Sequence, residues 1–226
     1  MPMTDAAARD PFAAALRGFG PVGLLAMLAI ALGNLVFVPL SALLVLAWAR
    51  RSATPWREIG FSRPRNWLAT ILAGIAFGIA FKLVMKALVM PLLGAPAVNP
   101  AYHHLAGNSA ALPGMLYLII VGAGFGEEIF FRGYLFERLG RLLGSSPGAK
   151  AAIVLITATV FGLAHLPEQG LPGMEQAIIV GLVFGAIYAR TGRLWLLIAA
   201  HAAFDLAALA IIYWDVEAQV AGAILG

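Results

Sequence analysis

A set of carboxylate, imidazole and guanidinium side chains lies inside long apolar stretches of this sequence. Charged groups in the middle of a membrane span cost roughly 2.5–3.5 kcal/mol each. We therefore expect them to face the interior of a helix bundle, to have partners, and to take part in hydrolysis or ion binding. They are Glu127, Glu128 and Arg132 in EEIFFR, His165 in FGLAH, and His201 and Asp205 in HAAFD.

Helical spacing assigns different partners to the two adjacent glutamates. Glu128 and Arg132 are four residues apart, so they can form an ion pair on one helical face. Glu127 is rotated by about 100° from Glu128 and stays free of that pair. His201 and Asp205 have the same four-residue separation, which allows the carboxylate to orient or polarise the imidazole.

The groups outside this ion pair permit several kinds of chemistry. A carboxylate with an imidazole can deprotonate a water molecule and make it a nucleophile. The same side chains could instead hold a divalent metal such as Zn²⁺, which would activate the water. They could also form a proton or ion relay, or a purely structural network that locks the helices together. The residues in question are Glu127, His165, His201 and Asp205.

The composition indicates an integral membrane protein. The chain has 226 residues, of which 62% are hydrophobic and only 12% are charged. A soluble domain of this length could not cover its surface with polar groups at that composition. The absence of cysteine excludes disulfides, thiolate metal sites and a cysteine nucleophile. The formal charge of +4 comes mostly from loop arginines, so we expect no nucleic-acid partner.

Long continuous apolar runs predict transmembrane helices rather than barrel strands. We predict an all-α polytopic membrane protein, a bundle of about six to eight transmembrane helices with an intramembrane polar site. The membrane domain would extend over 21–214, between an N-terminal lead-in at 1–20 and a C-terminal tail at 215–226. The apolar runs lie at 21–48, 67–93, 113–136, 150–166, 173–190 and 194–214.

The loops between these runs differ in charge. Basic residues gather in 50–65, in 138–150 and at 190–193, whereas the other loops hold almost none. The positive-inside rule then predicts that the basic loops are cytoplasmic and that both termini lie outside. This pattern indicates a multi-pass protein of the cell (plasma) membrane, of the bacterial inner-membrane type. Lys82 and Lys86 share a helical face with no evident acidic partner, and we expect them to snorkel or to contact another helix.

The three polar motifs, taken together and in order, resemble those of a known family. EEIFFR fits the EExxxR motif of the CAAX protease and bacteriocin-processing (CPBP, also called Abi) family of intramembrane proteases. FGLAH and HAAFD resemble its FxxxH and HxxxN/D motifs, and the resemblance covers about 127–205. It implies an endopeptidase that hydrolyses a peptide bond of a membrane-associated protein or peptide, with membrane lipid around it. The alternatives are a non-catalytic immunity or scaffold protein of the same fold, or a small proton- or cation-coupled transporter.

By motif position, the resemblance implies roles for the first two motifs. Glu127 would be the general base, and His165 would help it to activate the water. Glu128 and Arg132 would form a structural ion pair, which agrees with their helical spacing.

In the third motif, the resemblance implies that His201 and residue 205 form the oxyanion site. The eukaryotic members have asparagine at the second position, where this chain has Asp205. An amide can donate a hydrogen bond to an oxyanion, whereas an ionised aspartate would repel it. Asp205 would therefore be protonated, orient His201, or bind a metal. Metal-free and metal-dependent mechanisms both remain open.

Overall fold

The computed structural model describes residues 10–225, and all regular secondary structure in this region is helical. The predicted all-α class is confirmed, and residues 1–9 of the predicted lead-in lie outside the described residues. Short 3₁₀ turns occur at Gly33–Leu35, Trp56–Ile59 and His103–Leu105. The helices are α1 (Pro11–Arg17), α2 (Pro21–Leu32), α3 (Leu40–Arg51), α4 (Trp67–Leu92), α5 (Ser109–Leu143), α6 (Pro147–Thr191), α7 (Trp195–Tyr213) and α8 (Glu217–Leu225).

Four of these helices are long and apolar enough to cross a membrane, namely α4, α5, α6 and α7. A fifth candidate is the pair Pro11–Arg17 and Pro21–Leu35, which is bent by 55°. By length and composition, the described residues therefore hold four or five candidate spans, and the predicted six to eight are not confirmed.

Helix α6 folds back on itself. Its 45 residues would measure about 67 Å as a straight helix, about twice the thickness of the hydrocarbon core. The helix is broken at Gly170, where φ is 66°, a value that glycine adopts at little cost. A Cβ at Gly162 would lie 2.3 Å from Ile178, and one at Gly181 would lie 2.8 Å from Ala158. The two halves are thus antiparallel, in agreement with the two apolar runs at this position.

The first apolar run is also divided. Helix α2 ends at Leu32, and a turn that includes Pro39 precedes α3. Within this turn, Ser41 N donates to Asn34 Oδ1 at 2.9 Å and Asn34 N donates to Ser41 Oγ at 3.0 Å. These bonds satisfy backbone groups that the break leaves without helical partners. The prediction of one continuous span over 21–48 is therefore wrong, because α2 and α3 form a hairpin.

The hairpin places α1 at the same end of the bundle as the basic loops, which we call the basic side. Arg17 forms an ion pair with Glu58, and its carbonyl oxygen accepts a hydrogen bond from Arg138 Nη1 at 3.0 Å. The prediction that the N-terminal segment lies opposite the basic loops is wrong for these residues. Helix α8 does lie on the opposite side, where Glu217 contacts Lys86. Loop 93–108 belongs to this side as well.

Helix α7 lies at the centre of the bundle, in close contact with α4 and α5. A Cβ at Gly78 would lie 2.1 Å from the carbonyl oxygen of Ala200, and one at Gly124 would lie 2.9 Å from Ala202. Glycines at these positions let the helix backbones approach closely. Because α7 is held between α4 and α5, its polar side chains face the interior.

Candidate active site

The two glutamates lie in an unusual part of α5. Residues Leu118–Leu135 form a π-helix rather than the α-helix expected from the sequence, and π-helical segments are frequent at functional sites. Within it, Arg132 Nη1 donates to Glu128 Oε1 at 2.8 Å. Both side chains are almost completely buried. The structure therefore brings these two residues together inside the bundle, where each neutralises the other's charge.

Glu128 has a second partner on α7. His201 Nδ1 lies 2.7 Å from Glu128 Oε1, the oxygen that already accepts from Arg132. A carboxylate in an ion pair acts only as an acceptor, so the imidazole donates from Nδ1. This bond fixes the orientation of the His201 ring and directs its Nε2 away from Glu128.

The other nitrogen of His201 faces two further carboxylates. Nε2 lies 3.7 Å from Glu127 Oε2 and 3.6 Å from Asp205 Oδ2. These distances exceed a direct hydrogen bond, so both carboxylates lie close to Nε2 without bonding to it. Glu127 Oε2 is buried and has no hydrogen-bond partner among the described residues. The structure thus brings Glu127, His201 and Asp205 together and leaves Glu127 with free acceptor capacity.

His165 lies at the edge of this group. Its Nδ1 donates to the Phe161 carbonyl at 2.8 Å, which leaves Nε2 free as an acceptor. No nitrogen–oxygen pair between His165 and Glu127 lies within 4.0 Å. The Phe161 ring packs on both His165 and His201, at 4.5 and 6.0 Å between ring centroids.

Aromatic rings enclose the buried ion pair. The Arg132 guanidinium lies 4.8 Å from the Phe161 ring and 5.6 Å from the Phe184 ring. Phe184 also packs on His201 at 5.7 Å. Cation–π contacts of this kind contribute most where the cation is desolvated. Sequence analysis missed Phe184, because an aromatic residue in an apolar helix carries no signal of its own.

The two lysines of α4 contact other helices, one of the two outcomes expected from the sequence. Lys82 Nζ donates to Gln176 Oε1 at 3.0 Å and lies 4.8 Å from the centre of the Phe204 ring. Lys86 Nζ lies 3.1 Å from Glu217 Oε1. The partners were not evident from the sequence because they lie far along the chain.

The described residues contain no group of three or more His, Cys, Asp or Glu side chains arranged to hold a metal ion. Of the predicted ligands, His165 forms no hydrogen bond or ion pair with Glu127, His201 or Asp205 among the described residues, and Glu128 occupies the second nitrogen of His201. The arrangement does not fit a metal site that uses Glu127, His165, His201 and Asp205 together.

The part of the sequence that contains this site matches a known protein family. Residues 109–207 match the family model of Rce1-like type II CAAX prenyl endopeptidases. The matched segment begins with α5 and ends within α7, so it contains all three polar motifs. The resemblance that these motifs carry is therefore confirmed over this segment. No curated protein and no solved structure matches the chain significantly.

Proposed function

We propose, from the match of residues 109–207 to the Rce1-like type II CAAX prenyl endopeptidases, that this chain is an intramembrane endopeptidase. Its substrate would be a membrane-associated protein or peptide, cleaved by water that Glu127 activates. The observation that carries the proposal is the buried, unpartnered Oε2 of Glu127, which lies 3.7 Å from Nε2 of His201. A free carboxylate beside an imidazole is the arrangement required for general-base chemistry.

In this mechanism, Glu127 removes a proton from a water molecule while the water oxygen attacks the peptide carbonyl carbon. His165 presents its free Nε2 to the same water, because Phe161 holds its other nitrogen. When the tetrahedral intermediate collapses, the C–N bond breaks and Glu127 returns the proton to the leaving amine. Proton transfer of this kind typically contributes 10²–10⁴-fold to the rate.

His201 and Asp205 would form the oxyanion site. In its doubly protonated form, His201 donates from Nδ1 to Glu128 and can donate from Nε2 to the developing oxyanion. Asp205, four residues further along α7, lies 3.6 Å from the same Nε2. A protonated Asp205 would add a second donor, which is the role that an asparagine would have at this position.

We also propose how the chain crosses the membrane. Helix α1 lies on the basic side and α8 lies on the opposite side, which requires an odd number of crossings. Helices α4, α5 and α7 with the two halves of α6 give five, and the α2–α3 hairpin would be re-entrant. The positive-inside rule places the basic side in the cytoplasm of a cell of the bacterial type.

The proposal is tested by the cleavage of a farnesylated CAAX peptide by the purified protein in H₂¹⁸O. We expect release of the three terminal residues and one ¹⁸O atom in the new carboxyl group, because water is the nucleophile. Glu175→Gln is a suitable control, since Glu175 forms no side-chain hydrogen bond or ion pair among the described residues. If the peptide stays intact after prolonged incubation with the wild-type protein and with the Glu175→Gln control, the proposal is contradicted.

A further inference from the structure

Buried side chains fill the interior of the protein between the site and the basic side. Beyond Glu128 and Arg132, the side chains of α5, α6 and α7 that lie toward the basic side are closely packed. The residues that fill this region have little or no exposed surface, and they are Ile129, Tyr134, Phe184, Leu194, Leu197 and Ala200. Water and substrate therefore cannot reach His201 from the basic side without displacing this core.

Exposure increases toward the opposite side. The side chains of Glu127 and Asp205 are 27% and 29% exposed, whereas those of Glu128 and His201 are 0% and 5% exposed. One turn beyond His165, Glu168 is exposed at the end of the first half of α6. Glu127 and Asp205 are thus the more exposed groups of the site, and the exposed Glu168 lies toward the side of loop 93–108.

Tyr102, in loop 93–108, lies on the same side of the protein as Glu168. Tyr102 and Leu206, the latter one residue beyond Asp205 in α7, both pack against the buried cluster of Leu105, Ile119, Leu209 and Ile212. The Tyr102 hydroxyl oxygen accepts from Gln169 Nε2 at 3.2 Å. The hydroxyl hydrogen is therefore available to a ligand.

The surroundings of Tyr102 keep its hydroxyl protonated. Burial, followed by the carboxylates of Glu168, Asp205 and Glu127, raises the pKa of this phenol above its usual value. At neutral pH the group therefore remains a hydrogen-bond donor.

Loop 93–108 is fastened at several points, so that Tyr102 has a defined position. Glu217, buried in α8, accepts from Asn99 N at 2.9 Å and lies 3.4 Å from His103 Nδ1. The backbone N–H of Gly107 donates to the Tyr213 carbonyl at 2.9 Å. These contacts join the loop to α7 and α8. We call the region around Tyr102 and Glu168 the mouth of the site.

We propose that the site opens only toward the side of loop 93–108, and that an extended peptide enters past Tyr102, whose hydroxyl binds a backbone carbonyl of the substrate. This inference rests on the proposed function and adds the direction of access and a substrate-binding residue. The exposed carboxylate of Glu168 at the mouth favours a neutral or basic peptide segment. With the basic side in the cytoplasm, the peptide reaches the site from the external side.

The direction of access is measurable without catalysis, because the chain contains no cysteine. Single-cysteine variants in sealed vesicles of known orientation are treated with a small, membrane-impermeant thiol reagent. Asp205→Cys and Leu206→Cys report on the site, Glu168→Cys on the mouth, and Arg193→Cys on the basic side. A permeant reagent confirms that each thiol is reactive.

We expect both site reporters to react from the same side as Glu168→Cys and not from the side of Arg193→Cys. Reaction from the side of Arg193→Cys, or protection from both sides, would overturn the inference. Because labelling does not depend on cleavage, an inactive but one-sided protein would contradict the proposed function and leave the direction of access established.

The role of Tyr102 is tested by Tyr102→Phe, which removes only the hydroxyl. One lost hydrogen bond to the substrate raises KM about fivefold and leaves kcat unchanged. The matched control is Tyr213→Phe, since the Tyr213 hydroxyl forms no hydrogen bond among the described residues. An unchanged KM for Tyr102→Phe, or an equal effect of both variants, would overturn the assignment.

Discussion

His201 Nδ1 lies 2.7 Å from Glu128 Oε1, and this bond joins α7 to α5 in the interior of the protein. Because Arg132 donates to the same oxygen at 2.8 Å, one carboxylate holds both a guanidinium and an imidazole. The neighbouring Glu127 has no such partners among the described residues. The two adjacent glutamates thus differ in their surroundings, and under the proposed function Glu128 would be structural and Glu127 the general base.

We expect Glu128→Gln to destabilise the folded protein. Removing one member of a buried ion pair leaves the other charge without compensation, at a cost of about 3–5 kcal/mol. The measurement is the thermal or denaturant-induced unfolding of the purified protein in detergent. The double variant Glu128→Gln/Arg132→Met should recover part of the loss, because it removes the uncompensated guanidinium. Wild-type stability of Glu128→Gln would contradict this role.

His165 is expected to affect the rate rather than stability. The residue is only partly buried and its hydrogen bond is made to a carbonyl of its own helix. We expect His165→Ala to lower kcat by about 10²–10⁴-fold, the range for a lost acid–base group, with little change in Tm. His104→Ala, in the exposed part of loop 93–108, serves as the control. Equal activities of the two variants would remove His165 from the mechanism.

Position 205 separates a metal-free mechanism from a metal-dependent one. If Asp205 acts as a neutral donor beside His201, Asp205→Asn keeps or raises activity, because an amide donates without a proton to lose. Asp205→Leu then loses activity. Chelators should have no effect on the purified protein. Inactivation by a chelator with recovery on addition of Zn²⁺ would instead show that a metal ion takes part.

Glu217 is expected to hold loop 93–108 in place. Its buried carboxylate contacts Lys86, His103 and the backbone of Asn99. Glu217→Gln should therefore lower stability, since Lys86 loses a buried partner, and should make the loop more accessible to proteases. Limited proteolysis of the wild type and the variant measures the second effect. Glu168→Gln, which alters an exposed carboxylate on the same side, should leave the digestion pattern unchanged.

The parts of the site that follow from local spacing could be predicted from the sequence. The pairing of Glu128 with Arg132 requires only a helix and a four-residue separation. The bond between His201 and Glu128 joins residues 73 positions apart, and no local pattern specifies such a contact. The aromatic enclosure by Phe184 was missed because an aromatic residue in an apolar helix carries no signal of its own.

The fold shows the same division between local and distant determinants. Length and hydropathy predicted the helices, because a membrane leaves few alternatives for an apolar chain. The break in 21–48 was missed, although Asn34, Pro39 and Ser41 are visible within that run. The hydrogen bonds between Asn34 and Ser41 make a polar turn tolerable there. Because α2 and α3 form a hairpin, α1 lies on the basic side and not on the opposite side as predicted. The misassignment of the single run 21–48 thus changed the inferred topology.

The central claim, that Glu127 is the base, is tested most directly by the cleavage rate of Glu127→Gln at saturating peptide, together with its Tm. We expect cleavage to be lost while Tm and the bound fraction of peptide stay at wild-type values, because the amide keeps the shape of the side chain and cannot take a proton. Glu175→Gln should retain wild-type activity. Substantial cleavage by Glu127→Gln would contradict the account.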